Sequence, residues 1–247
     1  MKILKKIAAR IWAVWGILTF ILTFLIFFIP SMCTNLMAEP KSSIVFIKIS
    51  KWWMSIWLWL VACPIRVKGT ENFAADTTYI ITCNHNSLLD VPLSSPFIPG
   101  ANKTIAKTSF AKIPLFGLYY KKGSVLVDRK SESSRKESYT IMKQVLANGI
   151  HMCIYPEGTR NKTKSSIGAF QSGAFRLAID TKKSIVPGII FNTKKALPPD
   201  KAFYFLPHRL EIHFLPPIII KADETVDELR DRTHTIMKNY FLANTKS

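Results

Sequence analysis

The residues of this chain whose types and spacing could do chemistry begin with His85 and Asp90, in the run Asn84-His85-Asn86-Ser87-Leu88-Leu89-Asp90. A separation of five would put them on different faces of one regular helix, so they can touch only if His85 precedes a helix and Asp90 lies in its first turn. In that geometry the carboxylate accepts from one imidazole nitrogen and leaves the other to take a proton from a hydroxyl. A helix start beside the ring disfavours imidazolium and helps keep such a base neutral. The same letters have a plainer reading: Ser87 and Asp90 spell a capping box, in which the carboxylate satisfies backbone donors. The two readings are compatible.

A second constellation is Tyr155-Pro156-Glu157-Gly158-Thr159-Arg160, followed by the basic, small-residue run from Asn161 to Ser166. Arg160 offers a planar fork for phosphate oxygens, Thr159 a hydroxyl, and Gly158 room for close backbone approach. Glu157 could orient that arginine or accept from a substrate hydroxyl; the alternative for the whole segment is a turn with a surface ion pair. The third is Lys121-Lys122-Gly123-Ser124-Val125-Leu126-Val127-Asp128-Arg129, where Arg129 closes an apolar run and reads, taken alone, as a solvated charge.

The elements that must position these groups emerge from the pattern after Pro64. Short β-rich runs are predicted at Tyr79–Cys83, Lys103–Thr108, Ser124–Val127, His151–Tyr155, Ser184–Phe191 and Arg209–Leu215. Helices are predicted near Pro92–Phe97, Ile113–Tyr120, Glu132–Asn148, Phe170–Thr181 and Glu224–Leu242, with Gly149 as a stop. Such alternation argues for an α/β fold with a mostly parallel central sheet flanked by helices, and functional loops then gather at strand ends.

The 247 residues, 48% apolar, suffice for one well-buried domain plus an appended segment. A net charge of +18 calls for an acidic partner, whether nucleic acid, an anionic bilayer, a phosphorylated substrate or an acidic carrier protein. The four cysteines, Cys33, Cys63, Cys83 and Cys153, are scattered, with no C-x-x-C pair and no histidine at zinc-ligand spacing. They read as small buried apolar residues of a protein in a reducing cytoplasm, without a metal site.

From Ile11 to Ile29 no side chain is charged, and Lys2, Lys5, Lys6 and Arg10 precede this run, which is expected to end at Pro30. The order resembles a signal peptide, but the apolar core is long and no small-residue cleavage site is convincing, so the segment is read as retained, its basic start in the cytoplasm. A second apolar stretch, Ile44–Ile65, carries Trp52, Trp53, Trp57 and Trp59, a composition suited to the headgroup boundary. Residues 1–65 are thus expected to anchor the chain to a membrane and residues 66–247 to form the catalytic domain. A cytoplasmic domain requires either two spans or a shallow helical hairpin; two core helices of a soluble domain are the alternative.

Taken in order, Asn84–Asp90, Gly123–Arg129, Tyr155–Arg160 and Ile185-Val186-Pro187 resemble the four blocks of the glycerolipid acyltransferase superfamily, most closely the bacterial 1-acyl-glycerol-3-phosphate acyltransferases. The likeness spans roughly residues 65–220, and Phe170 and Gly173-Ala174-Phe175 extend it past the third block. It implies a membrane-binding N-terminal helical pair, His85 as general base and Asp90 as its orienting partner. It also places Arg129, Glu157, Gly158, Thr159 and Arg160 around the acceptor's glycerol phosphate and Pro187 on the acyl-donor side.

The implied reaction moves a fatty acyl group from acyl-CoA or acyl-carrier protein to the sn-2 hydroxyl of 1-acyl-glycerol 3-phosphate, making phosphatidic acid in phospholipid biosynthesis. No covalent acyl-enzyme, metal or further cofactor is implied. The expected partners are an anionic membrane, the lysophospholipid acceptor and the thioester donor, at the cytoplasmic face of the inner membrane. Many relatives carry a lysine where this chain has Gln171, a departure that bears on the acceptor headgroup and for which Lys162 or Lys164 could substitute. The competing readings are another acceptor (glycerol 3-phosphate or a lyso-aminolipid), a non-catalytic lipid-binding relative, and a membrane-tethered nucleic-acid binder. No nucleic acid is expected, because basic and aromatic residues do not interleave outside the membrane segment.

Overall fold

The computed structural model describes residues 2–163 and 165–245. It begins with two antiparallel helices, α1 (Lys2–Cys33) and α2 (Lys41–Leu60). Pro30 does not end α1. The helix runs one turn further, and the hydroxyls of Ser31 and Thr34 take up the carbonyls of Phe27 and Ser31 as the chain reverses.

Two of the four tryptophans expected at a headgroup boundary are instead inside the protein. Trp53 and Trp57 lie on one face of α2, buried against α1, with Trp53 Nε1 donating to Thr23 Oγ1 and Trp57 Nε1 to the Gly16 carbonyl. Trp52 and Trp59 face outward, 71% and 77% exposed. A spacing of four keeps the first pair on one helical stripe, and the second pair, seven apart, shares the opposite one. Cys33 likewise departs from expectation, standing exposed at the end of α1 while the other three cysteines are buried.

Seven strands form one sheet: β1 (Ile65–Lys68), β2 (Ile80–Cys83), β3 (Asn102–Lys107), β4 (Ser124–Val127), β5 (His151–Ile154), β6 (Ile185–Phe191) and β7 (Leu210–Phe214). Their order is β1-β7-β6-β2-β5-β3-β4, and each neighbouring pair is parallel except β6 with β7. β1 is the strand the sequence pattern hid. Its alternation of Ile65 and Val67 with Arg66 and Lys68 is only four residues long and comes directly after the apolar stretch of α2.

Further helices are α3 (Asp90–Ser94), α4 (Phe116–Lys122), α5 (Glu132–Ala147), α6 (Gly173–Thr181), the single turn α7 (Thr193–Ala196) and α8 (Val226–Asn244). Alternate residues of the central strands feed two cores, as the period of two in a strand requires. Ile81, Cys83, Cys153, Tyr155, Val186 and Ile190 face Trp53, Leu58 and Leu93 from α2 and α3. Ile80, Met152, Ile154, Ile185 and Ile189 face Met142, Phe175, Leu177, Leu229 and Met237 from α5, α6 and α8. Each fully buried side chain of this size contributes roughly 1.5–3 kcal/mol, so β2, β5 and β6, covered on both faces, are the rigid centre from which the loops project.

The hairpin is part of this body. α2 packs on the sheet side, α1 packs on α2, and Phe24 and Trp53 belong to the same core as β2 and β6. The outer face of α1 remains open along its length, with Leu4, Ile11, Leu18, Leu22, Ile26 and Ile29 exposed. α1 is the one helix among the described residues long and apolar enough to cross a membrane.

Candidate active site

β2 ends at Cys83, and Asn84 anchors the loop beyond it. The Asn84 side chain donates to the carbonyl of Ile190 and accepts the Ile190 N–H, at 3.0 and 2.7 Å, which ties the strand end to β6. His85 is then held on every side. Its backbone N–H donates to Glu157 Oε1 at 2.8 Å, its carbonyl accepts from the Asn161 N–H at 2.6 Å, and its ring lies 4.5 Å from that of Tyr155. Tyr155 is itself fixed by a 2.6 Å hydrogen bond between its hydroxyl and that of Ser94.

His85 Nδ1 meets Asp90 Oδ2 at 2.8 Å. The carboxylate is fully buried, and the same oxygen accepts the N–H groups of Asn86 and Ser87. Both sequence readings of Asp90 therefore hold in part. It is the first residue of α3 and gathers backbone donors, yet it also grips the imidazole. The reciprocal half of a capping box does not form: the Asp90 N–H goes to the Ser87 carbonyl, and the Ser87 hydroxyl donates to Leu197 O. Because a carboxylate only accepts, Nδ1 carries the proton and Nε2 the lone pair. The ring is 19% exposed, and Nε2 makes no hydrogen bond to any described residue.

At the end of β5 the chain turns through Tyr155-Pro156-Glu157-Gly158, closed by Gly158 N–H to the Tyr155 carbonyl at 3.0 Å. Gly158 adopts φ +72°, a left-handed conformation that favours glycine. A Cβ there would lie 3.6 Å from Arg129 Nη1, so the guanidinium at the end of β4 reaches over the turn. Arg160 is half-buried two residues on, beside the Asn161 that holds the His85 carbonyl. Neither Arg129 nor Arg160 forms an ion pair with any described carboxylate. Thr159 is exposed, its hydroxyl donating to Arg160 O at 3.3 Å.

Glu157 departs from one of its two expected roles. It orients neither arginine, and its carboxylate is buried and doubly engaged: Oε1 accepts from His85 N–H, and Oε2 accepts from Gly168 N–H at 2.9 Å. Burial pushes its pKa up, while the His85 and Gly168 donors pull it down. It joins the His85 loop to the 161–168 loop through both oxygens. Pro187 lies within β6, buried and paired with Thr82, its carbonyl accepting the Leu215 N–H. Gln171 is exposed and its N–H donates to Pro156 O; Lys162 is exposed, and Lys164 lies outside the described residues.

Sequence reasoning missed Asn84, Asn161 and Gly168 as parts of the site, and gave Tyr155 no role. Asn84 carried a signal, an amide directly before the histidine at a strand end. Gly168 carried none, because its necessity appears only in three dimensions: a Cβ there would stand 2.5 Å from Glu157 Oε2. Among the described residues there is no group of three or more His, Cys, Asp or Glu able to hold a metal ion.

Known proteins resemble this chain to differing extents. The 1-acyl-sn-glycerol-3-phosphate acyltransferase of Cocos nucifera is 35% identical over 141 residues, covering 56% of this chain and 45% of that protein. The alpha form from Homo sapiens is 27% identical over 190 residues, covering 74% and 65%. The matched stretches thus span about half to two thirds of the length of these relatives. The crystal structure of the 1-acyl-sn-glycerophosphate (LPA) acyltransferase PlsC from Thermotoga maritima superposes over the whole of both chains with a TM-score of 0.80 at 22% identity, so the fold is shared. A family model described as Acyltransferase matches residues 64–191, from the start of β1 to the end of β6, and so takes in His85, Asp90, Arg129 and the Glu157–Arg160 turn. This chain belongs to the acyltransferase family.

Proposed function

We propose that the protein is a 1-acyl-glycerol-3-phosphate acyltransferase in which His85 is the general base. One observation carries the reading: Nδ1 is held by a buried carboxylate while Nε2 makes no hydrogen bond to any described residue, in a loop tied to the turn that carries Arg160 and lies under Arg129. Nε2 takes the proton of the acceptor's sn-2 hydroxyl as its oxygen attacks the thioester carbonyl of acyl-CoA or acyl-carrier protein. The tetrahedral adduct collapses with loss of the thiolate, and the imidazolium returns the proton to that sulfur. Asp90 holds the ring in the productive tautomer and stabilises the transient cation. A positioned base supplies about 10²- to 10⁴-fold, so alignment of the two substrates must supply much of the rest. Arg129 and Arg160 hold the acceptor's phosphate, with Gly158 and Thr159 shaping the floor beneath it.

The hairpin places this chemistry at the lipid surface. α1 is packed along α2, and α2 on the sheet, so α1 lies in the plane of one leaflet with its outer apolar face immersed; two separate spans would tear that core apart. Lys5, Lys6 and Arg10, with the domain's positive charge, favour the anionic cytoplasmic face of the inner membrane. The test is acyl transfer from a labelled thioester to lysophosphatidic acid by purified protein. Wild type should form phosphatidic acid, and His85→Ala should not, although it still binds vesicles; substantial turnover by the variant removes His85 from the role of base.

A further inference from the structure

The end of the hairpin remote from His85 carries a groove that acyl transfer does not use. Phe28 and Met32 of α1, Asn35 just beyond it, and Leu118, Lys121 and Lys122 of α4 line an open groove of about 590 Å³, a size within the roughly 300–1,000 Å³ usual for ligand sites. Lys122 closes α4 immediately before β4 begins, and Glu39 in the hairpin tip pairs with Lys122 and with Lys103 at the start of β3. The groove therefore lies at the N-terminal edge of the parallel strands, whereas His85 lies past the C-terminal end of β2. Phe24, Phe116 and Tyr119 pack together about one turn before Phe28 and Lys122 along α1 and α4.

Its chemistry is amphipathic. Phe28, Met32 and Leu118 offer apolar walls, and Leu118 is 53% exposed. The opposite end is cationic: Lys122 donates to Ser42 Oγ and shares Glu39 with Lys103, while Lys121 has no ion pair among the described residues. Three ammonium groups thus stand against one carboxylate. Burial depresses the Lys122 pKa, Glu39 opposes that, and the like charge of Lys103 adds to it, so an arriving anion would be favoured.

We propose that this groove binds one anionic glycerophospholipid of the surrounding leaflet, an acyl chain along Phe28, Met32 and Leu118 and the phosphate on Lys121 and Lys122. The occupant is indicated by charge complementarity and by continuity with the outer apolar face of α1; basic pockets between membrane-facing helices take such headgroups. A free phosphate would leave the apolar walls unused. Bound there, the lipid clamps α1 to α4 and fixes the tilt of the hairpin against the domain. The inference rests on the reading that the outer face of α1 meets the bilayer.

The test uses the full chain in a neutral detergent, incubated with dioleoyl phosphatidylglycerol or dioleoyl phosphatidylcholine and examined by native mass spectrometry. One phosphatidylglycerol should be retained per chain, at least tenfold in preference to phosphatidylcholine. Lys121→Glu and Leu118→Asp, both at exposed positions, should each reduce that retention at least tenfold while acyl transfer in detergent is unchanged. Equal retention of the two lipids, or undiminished retention in both variants, overturns the proposal. Flotation with neutral vesicles, scored separately, tests the bilayer-facing reading of α1: wild type that fails to float sinks that reading, while the detergent result still judges the groove.

Discussion

Glu157 Oε1 accepts the backbone N–H of His85 at 2.8 Å, and the other oxygen of the same carboxylate accepts the N–H of Gly168. One buried side chain thus sets the height of His85 and pins the loop beside it. Replacing it by glutamine keeps the shape and turns an NH₂ toward one of the two donors. Leaving a buried donor unsatisfied costs about 1–3 kcal/mol, so Glu157→Gln should lower stability by that order. Its kcat should fall while the acceptor KM holds. Chemical denaturation and steady-state kinetics check it; an unchanged kcat would remove Glu157 from the positioning of His85.

Two glycines in the same loops should fail for different reasons. At Gly168 a methyl group would sit 2.5 Å from Glu157 Oε2, so Gly168→Ala must displace that carboxylate and should depress kcat as Glu157→Gln does. At Gly158 a methyl would find ordinary contacts at 3.5–3.6 Å, but the backbone is left-handed at φ +72°. Gly158→Ala should therefore cost about 1–2 kcal/mol of stability and leave the kcat of the folded fraction nearly intact. Parallel melting curves and kcat values separate the two.

How much of this was legible in the sequence depends on the range of the interactions. His85 and Asp90 are close in the chain, and their spacing already restricted the geometry in which they could meet. The central strands were legible because both faces are buried and their composition is nearly uninterrupted apolar. The role of Glu157 was not, since its partners are 72 and 11 residues away and are backbone groups without a letter of their own. The four tryptophans of α2 misled for a related reason: composition marks a helix as interfacial, but only the packing of α1 decides which stripe is interior.

Asp90→Asn tests the tautomer. An amide oxygen meets the three N–H groups of His85 Nδ1, Asn86 and Ser87 without the carboxylate's charge, and the flipped amide turns its NH₂ toward Nδ1 and favours the wrong ring tautomer. The expected loss is about 10²- to 10⁴-fold in kcat, with circular dichroism unchanged and the acceptor KM little altered. Activity within threefold of wild type would leave Asp90 as a backbone cap only.

Arg129→Gln and Arg160→Gln should act on binding. Each removes a charge-assisted hydrogen bond worth about 1.5–3 kcal/mol, which raises the KM for lysophosphatidic acid about 10- to 100-fold. With monoacylglycerol, which lacks the phosphate, wild type and variants should converge. An equal effect on both acceptors would place the arginines elsewhere in the mechanism.

Acid stability should depend on His151. Burial lowers its pKa from 6.5 to about 4, a backbone hydrogen bond to Pro99 opposing, and its Nδ1 accepts the Tyr79 N–H, which requires the neutral ring. As pH falls below 6.5 the unfolded chain takes up a proton that the folded chain refuses. The stabilising contribution is therefore complete above that value and lost progressively toward pH 4, to roughly 3 kcal/mol at about 1.4 kcal/mol per pH unit. In His151→Asn the Oδ1 can stand in for Nδ1 without titrating. Urea midpoints at pH 7.5, 5.5 and 4.5 should fall more steeply for wild type than for the variant.

The last pair of substitutions separates the two stripes of α2. Trp57 is buried, stacked on Phe205, with its Nε1 on the Gly16 carbonyl, so Trp57→Ala should cost about 3–5 kcal/mol of stability in detergent. Trp59 is 77% exposed on the other face and touches no core. Trp59→Ala should leave melting in detergent unchanged and weaken partitioning onto anionic vesicles. The opposite pattern, with Trp59 needed for folding and Trp57 for vesicle binding, would mean that the hairpin meets the bilayer by a different face and that α1 does not lie outermost.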